Sequence, residues 1–261
     1  GWKTRRIRAW LTSAYQDAAR IIVLSQQMQD RLVGWGLPEE RFVQIPNWAR
    51  CDLIQPIASS ASRLRGKQQF DDDAIVMMHS GNMGMSQRLD RLVDAVADLP
   101  SDSRVQLILV GGGAKRDAIA QQIQDRGCGD IVRMLPYQPR SELSDSLSAA
   151  DVQIVSVDPR IDGCLMPSKL YGILAAGRPV IAIDHPESDL AKLVVDQRIG
   201  WVVDAEDDAT IGKTMMQVAG STADERHSMG TRARALCEQH YDLPNAVDSF
   251  RRLLQGLSTN V

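Results

Sequence analysis

The chain lacks a cysteine pair at metal-ligand spacing, a long apolar run and a strong charge of either sign. Its four cysteines, Cys51, Cys128, Cys164 and Cys237, stand far apart with no CxxC. That speaks for a reducing compartment and against zinc. The four histidines, His79, His185, His227 and His240, show no ligand spacing either. No apolar stretch approaches the ~20 residues of a membrane-spanning helix, and no secretory leader is visible. A net charge of −3 over 261 residues gives no electrostatic case for nucleic acid. What remains is an ordinary globular composition, 44% hydrophobic and 24% charged, with length for one large domain or one and a half.

From residue 73 onward strand and helix patterns alternate. Apolar runs at 74–79, 104–110, 130–135, 152–157, 179–183 and 200–203 are separated by helical periodicity near 86–98, 115–126, 140–149, 168–176 and 188–197. Continuous apolar strands with crossover helices imply a parallel sheet covered on both faces, a doubly wound Rossmann-like α/β domain of about six strands. Further helices are expected near 207–219, 222–239 and from Pro244 onward. Ahead of this lies a smaller unit: a strand at 20–25, a helix capped by Ser25, and a strand at 42–45 closed by Pro46-Asn47-Trp48, together one parallel crossover. Between the two, residues 49–72 interrupt any period with Ser59, Ser60, Ser62, Gly66, Gln68 and Gln69, and read as an interdomain linker.

Residues 2–19 read as a helix with an apolar side, Trp2, Ile7, Trp10, Leu11, Ala14 and Tyr15, and a basic end, Lys3, Arg5, Arg6 and Arg8. One reading is an ordinary amphipathic helix with solvated arginines. The other is a helix that meets anionic lipid head groups.

The chemistry concentrates in PSKLYGILAAGRPV, Pro167–Val180. Ser168 and Lys169 fall at a helix start just past a strand's carboxyl end, where free N–H groups and the positive dipole end favour a phosphate. A lysine at that end is unfavourable for the dipole, so a plain surface role explains it poorly. Gly172, early in the helix at a cost of roughly 1 kcal/mol relative to alanine, suggests close approach of something bulky. Gly177 and Pro179 stop the helix, and Arg178 is explained by the dipole at its carboxyl end. Ser80-Gly81-Asn82-Met83-Gly84 forms a second strand-to-helix turn whose N–H groups can approach an anion; the plain alternative is a tight βα turn. Gly111-Gly112-Gly113 is not GxGxxG and reads as a packing turn. Tyr137, on its own, reads as a half-buried loop aromatic. His79 ends a strand beside the glycine turn, where it could reach a ligand, and core packing is the stronger reading.

PSKLYGILAAGRPVIA resembles the signature helix of glycosyltransferase family 4, the retaining sugar-nucleotide transferases of GT-B architecture. Within it the likeness is to bacterial O-antigen and colanic-acid type polysaccharide transferases, and it runs through the whole chain as the carboxyl-terminal part of such an enzyme. The resemblance implies residues 1–48 as the end of the acceptor-side domain, 49–72 as linker, 73–240 as the donor domain, and 241–261 as a terminal helix packing back toward 1–48.

It also implies catalytic roles for Lys169 and for Arg88, the latter standing where many members carry a lysine. The donor diphosphate would meet Gly81, Asn82, Met83, Gly84, Ser168 and Lys169; the nucleoside and sugar would meet Tyr137, Asp162, Cys164 and Gly172. Most of the family has a glutamate, seven residues, then a glutamate. Here those positions hold Cys164 and Gly172, so neither carboxylate is present, and Asp162, two residues off, is the nearest substitute. The partners implied are a nucleotide sugar and a saccharide or lipid-linked acceptor, with peripheral membrane contact through the basic helix, no nucleic acid, no cofactor and no metal. The implied setting is the cytoplasm, at the inner face of the plasma membrane. Two alternatives stand beside this: a sugar-nucleotide 2-epimerase of related GT-B fold, which needs general acids and bases that are scarce here, and a non-catalytic nucleotide-binding subunit, which the missing glutamate pair would fit.

Overall fold

The structure, a computed structural model, describes residues 2–258 apart from 72 and 162. The chain opens with α1 (Trp2–Gln16), then β1 (Ile21–Val23), α2 (Gln26–Val33) and β2 (Phe42–Gln44). β1 and β2 pair in parallel. Ser25 Oγ accepts from the Met28 N–H at 3.4 Å and starts α2 as the sequence suggests.

The segment from 49 to 72 is not free of regular structure. It holds α3 (Arg63–Gln68), whose Leu64 is buried against the large sheet. The physical reason is Asp145: its carboxylate accepts from the Arg63 and Leu64 N–H groups at 2.8 and 3.0 Å, anchoring the helix start. The serines that break the hydrophobic period are therefore in part capping groups: Ser62 Oγ accepts from the Arg65 N–H at 3.2 Å.

The large sheet then follows in order: β3 (Ile75–Asn82), α4 (Leu89–Ala97), β4 (Val105–Gly112), α5 (Arg116–Asp125), β5 (Val132–Leu135), α6 (Leu143–Ser148), β6 (Val152–Ser156), α7 (Lys169–Ala175), β7 (Val180–Asp184), α8 (Asp189–Asp196) and β8 (Gly200–Asp204). Its six strands lie in the order β5-β4-β3-β6-β7-β8 and all pairs are parallel. The helices cover both faces with apolar stripes. Leu89, Leu92, Val93 and Val96 of α4, spaced at helical period, are wholly buried. Leu190, Ala191 and Val194 do the same for α8, which Ser188 caps through the Ala191 N–H at 3.0 Å.

The strand order reverses between β3 and β6, and open α/β sheets hold ligands in the crevice beyond such a point. β3 and β4 leave no room for a side chain there. Gly81 and Gly111 are paired, with φ of +139° and +136°, and a Cβ on Gly111 would lie 2.0 Å from the Gly81 carbonyl oxygen. Glycine is required for that approach.

α9 (Asp208–Gly220) and α10 (Ala223–Leu236) complete the cover, and a π-helical turn at Cys237–Tyr241 leads into α11 (Leu243–Ser258). α11 returns to the small unit. Trp48 and Phe250 meet edge to face at 6.2 Å. The Ala49 N–H donates to the Tyr241 carbonyl and the Leu243 N–H to that of Ala49, at 2.8 and 3.0 Å.

Candidate active site

A cavity of about 620 Å³ lies beyond the carboxyl ends of β3 and β6. Its polar lining comes from Asn47, Ser80, Asn82, Ser86, Gln87 and Ser168, together with Lys169; Leu143, Leu147, Ile161, Leu165 and Met166 supply an apolar wall. Lys169, at the first position of α7, sends its side chain back across the cavity to the end of β3. There Cε and Nζ lie 3.3 Å from the position a Cβ would take on Gly81. The two stretches singled out in the sequence thus meet, and glycine at 81 is what leaves room for the lysine. Burial holds the Lys169 ammonium well below the usual lysine range, at about 8.

His79, a residue before the turn, is the partner sequence reasoning missed. It is fully buried, and Lys169 Nζ stands 2.9 Å from its Nε2 and 3.4 Å from its Nδ1. Burial, then the lysine charge, pull the imidazole down to about 3, so the ring is neutral at physiological pH. A histidine ending an apolar strand reads as core in a single sequence; only the fold brings it to a lysine ninety residues away. Ser156 was also missed. It is 4% exposed, it lines the cavity, and its Oγ has no partner among the described residues.

Several expectations need correction. The amides of Met83 and Gly84 are not free for an anion: they donate to the Gly112 carbonyl at 2.7 Å and to Gln87 Oε1 at 2.9 Å, and the Met83 side chain is core. Gly81 and Asn82 do line the cavity. Arg88 is not brought into it. Its guanidinium donates to the Ala205 carbonyl and pairs with Asp208 at 3.1 Å, because Arg88 adopts a left-handed conformation at the start of α4 that turns it toward β8 and α9.

Ser168 is already helical, φ −62° and ψ −25°, and its hydroxyl makes no cap bond; it is exposed at the cavity rim instead. Gly172 lines the cavity, yet a Cβ there would meet only Leu147 Cδ1 at 3.5 Å and Ile54 Cδ1 at 4.0 Å. These are ordinary contacts, so no other part of the chain accounts for the glycine at 172. Cys164 is exposed and stands outside the lining, while Leu165 and Met166 face the space. Asp162 lies outside the described residues.

Tyr137 is 61% exposed, its ring lying across Gly111 and Gly112 with the hydroxyl donating to the Gly112 carbonyl at 3.3 Å. It stands outside the cavity lining, on the glycine turn next to Gly81. Arg178 does not simply serve the dipole: its guanidinium reaches the Ile57 carbonyl. On α7, Tyr171 is wholly buried against Tyr241, rings 5.2 Å apart. Among the described residues no three of His, Cys, Asp and Glu are grouped to hold a metal ion.

A parallel α/β sheet with a lysine-lined crevice at its switch point is the doubly wound architecture, whose ligands bind in that crevice. Comparison with known proteins narrows this. Residues 60–236 match the family Glycosyl transferases group 1, and residues 1–48 match a Glycosyl transferase 4-like domain. The chain belongs to the Glycosyl transferases group 1 family. Among curated relatives, a probable glycosyltransferase, WbjE, of Pseudomonas aeruginosa is 21% identical over 97% of this chain and 62% of its own. A putative colanic acid biosynthesis glycosyl transferase, WcaI, of Escherichia coli is 25% identical over 71% of this chain and 45% of its own. The chain thus spans about half the length of these relatives. Among solved structures, Anabaena HepE in complex with UDP-glucose superposes with a TM-score of 0.79 at 19% identity, over 97% of this chain and 67% of that one. Sucrose-phosphate synthase from Thermosynechococcus elongatus superposes at 0.82 and 21%, over 97% and 62%. The fold is of the GT-B type that the signature helix implied.

Proposed function

We propose that this chain is the donor-binding half of a retaining family 4 glycosyltransferase that moves a hexosyl group from a nucleoside-diphosphate sugar to a lipid-linked saccharide during cell-surface polysaccharide synthesis. The observation that carries this reading is Lys169 Nζ reaching the Gly81 turn across the crevice at the sheet's switch point. A diphosphate set between α7 and β3 meets a full positive charge in a half-enclosed space, where such a contact is worth more than in water. Nζ then neutralises charge that grows on the leaving diphosphate as the glycosidic bond breaks, the main electrostatic lever for such a reaction. Asn82, Ser168 and Ser156 supply neutral polar groups along the same wall. Because Arg88 is held by Asp208, the charge contribution falls to Lys169.

Two further supports come from likeness: the relatives named for colanic acid synthesis and the neighbour holding UDP-glucose favour a nucleotide sugar and a polysaccharide acceptor. A third comes from the chain itself: the exposed Trp2, Ile7 and Trp10 beside Arg5, Arg6 and Arg8 on α1 suit a peripheral contact with the inner membrane face. No cofactor enters this scheme.

Titration calorimetry with uridine, guanosine, adenosine, cytidine and thymidine diphosphates tests the reading. At least one should bind at millimolar level or tighter, and Lys169→Ala should weaken it by about 1.5–3 kcal/mol, the range for a hydrogen bond to a charged group. Absence of binding to all five overturns it.

A further inference from the structure

We propose that His79 is a positioning residue for the diphosphate site: its neutral ring holds Lys169 Nζ over the Gly81 turn until a ligand arrives, so that the site takes up a proton as it binds a nucleoside diphosphate. The inference rests on the reading above and goes one step past it.

The geometry comes first. His79 is wholly buried on β3, and Lys169 reaches it from α7. The Nδ1–H tautomer serves: that N–H faces the Ile154 backbone, and Nε2 accepts from Nζ at 2.9 Å. The imidazole cannot itself be the charged partner, since burial and the lysine keep it neutral until about pH 3.

Among the described residues, three other ionisable groups on the surrounding elements are engaged. Asp158, beyond β6, is bound by the Arg160 guanidinium at 2.5–3.1 Å, which holds its carboxyl low. Arg88, before α4, is paired with Asp208. Tyr171, on α7 itself, is buried with its hydroxyl against the Asn47 backbone, burial raising it far from neutrality. Lys169 is therefore the group that titrates in the working range.

In the free site burial holds it at about 8. A bound diphosphate places negative charge beside it and raises it again. Above pH 8 the free lysine is largely unprotonated and the bound one protonated, so binding draws a proton from the buffer. The sign follows from linkage: affinity is full below about pH 8, where the lysine is charged in both states. It declines as pH rises from there to the raised value. The ligand's own phosphate is fully ionised in that range and adds nothing.

Calorimetry of the intact chain with uridine 5′-diphosphate, or whichever of the five diphosphates binds, in two buffers of different ionisation enthalpy counts the protons. About one proton per ligand is expected at pH 9 and about none at pH 7. His79→Leu keeps the volume and removes the acceptor. Nζ then has no buried partner, affinity is expected to fall about tenfold, and the proton uptake at pH 9 to disappear as the lysine moves toward water. His79→Gln restores an acceptor carbonyl and is expected to recover both, whereas a merely packing role would favour leucine over glutamine. If the Leu variant does not fold, the parent's proton count and the Gln variant still decide. The inference is overturned if the parent binds with no proton uptake at pH 9, if leucine at 79 leaves affinity and proton count unchanged, or if glutamine fails as badly as leucine. Failure of the parent to bind any of the five diphosphates overturns the functional reading itself, and the inference with it.

Discussion

At the scale of single residues, the molecule keeps an expensive cation where its ligand would be. Lys169 is held at about 8 by burial, below its ordinary range. The unfolded chain therefore binds more protons between about pH 8 and 10.5, and stability attributable to this residue rises with pH through that window. Below it the charged lysine is a burden on folding. Lys169→Met should accordingly raise stability at pH 7 by on the order of 1–3 kcal/mol while removing diphosphate affinity. Thermal melts of parent and variant at pH 7 and pH 10 check this, since the gap should narrow at the higher pH. A variant no more stable than the parent at pH 7 would show that the lysine is well solvated.

The cysteines offer a second test at this scale. Cys51, Cys128 and Cys237 are buried and Cys164 is exposed on the loop before α7. Burial pushes all three buried thiols up, and the thiolate is the reactive form. Native-state alkylation followed by mass spectrometry should label Cys164 and spare the others; rapid labelling of Cys51 or Cys237 would contradict the packing of the chain's return.

At the scale of elements, the strands and helices of the large sheet were legible because each carries its own signal. The four central strands bury on both faces while the edge strands β5 and β8 are mostly half-buried, the helical stripes of α4 and α8 recur at the right period, and Ser25 and Ser188 cap their helices. α3 was not legible. Six residues with one buried leucine make no period, and its anchor, Asp145, lies some eighty positions further on. The site divided in the same way. Lys169 and Gly81 announced themselves by position at strand ends. The amides of Met83 and Gly84 misled because their partners, the Gly112 carbonyl and Gln87, are set by strand pairing and a side-chain turn that no local pattern encodes. Arg88 misled for the same reason, its partner Asp208 lying on α9.

The junction before α11 is the element whose loss is easiest to forecast. Asp242 Oδ1 accepts from the Cys51 N–H at 3.0 Å and from the Leu243 N–H at 2.8 Å. Asp242→Ala strands the Cys51 N–H in a partly buried place, while the Leu243 N–H keeps the Ala49 carbonyl. It should cost about 1–3 kcal/mol, read as a lower denaturant midpoint. An unchanged midpoint would mean that water replaces the carboxylate freely.

At the scale of the whole molecule, two bodies of unequal size are joined by a chain that leaves one and returns to it. The Gln27 N–H donates to Asp189 Oδ2 at 2.8 Å and the Asp189 N–H to Gln27 Oε1 at 2.9 Å, tying α2 to the start of α8 across the same end of the sheet that holds the cavity. Asn47, at the end of the small unit, lines that cavity together with α7. A ligand there touches both bodies, so binding should stabilise the fold as a unit. A nucleoside diphosphate at a hundred times its dissociation constant should add about 2.7 kcal/mol. The melt should shift upward as a single transition in parent protein and by clearly less in Lys169→Ala, where the same ligand concentration adds only about 0.3–1.3 kcal/mol.

The central claim is that Lys169 and the Gly81 turn grip a diphosphate between them, and a crystal structure of the chain soaked or grown with a nucleoside diphosphate examines it most directly. The account predicts Lys169 Nζ within about 2.7–3.0 Å of a phosphate oxygen, with the phosphates lying between α7 and the end of β3. A diphosphate bound elsewhere, with Nζ still resting on His79, would contradict it.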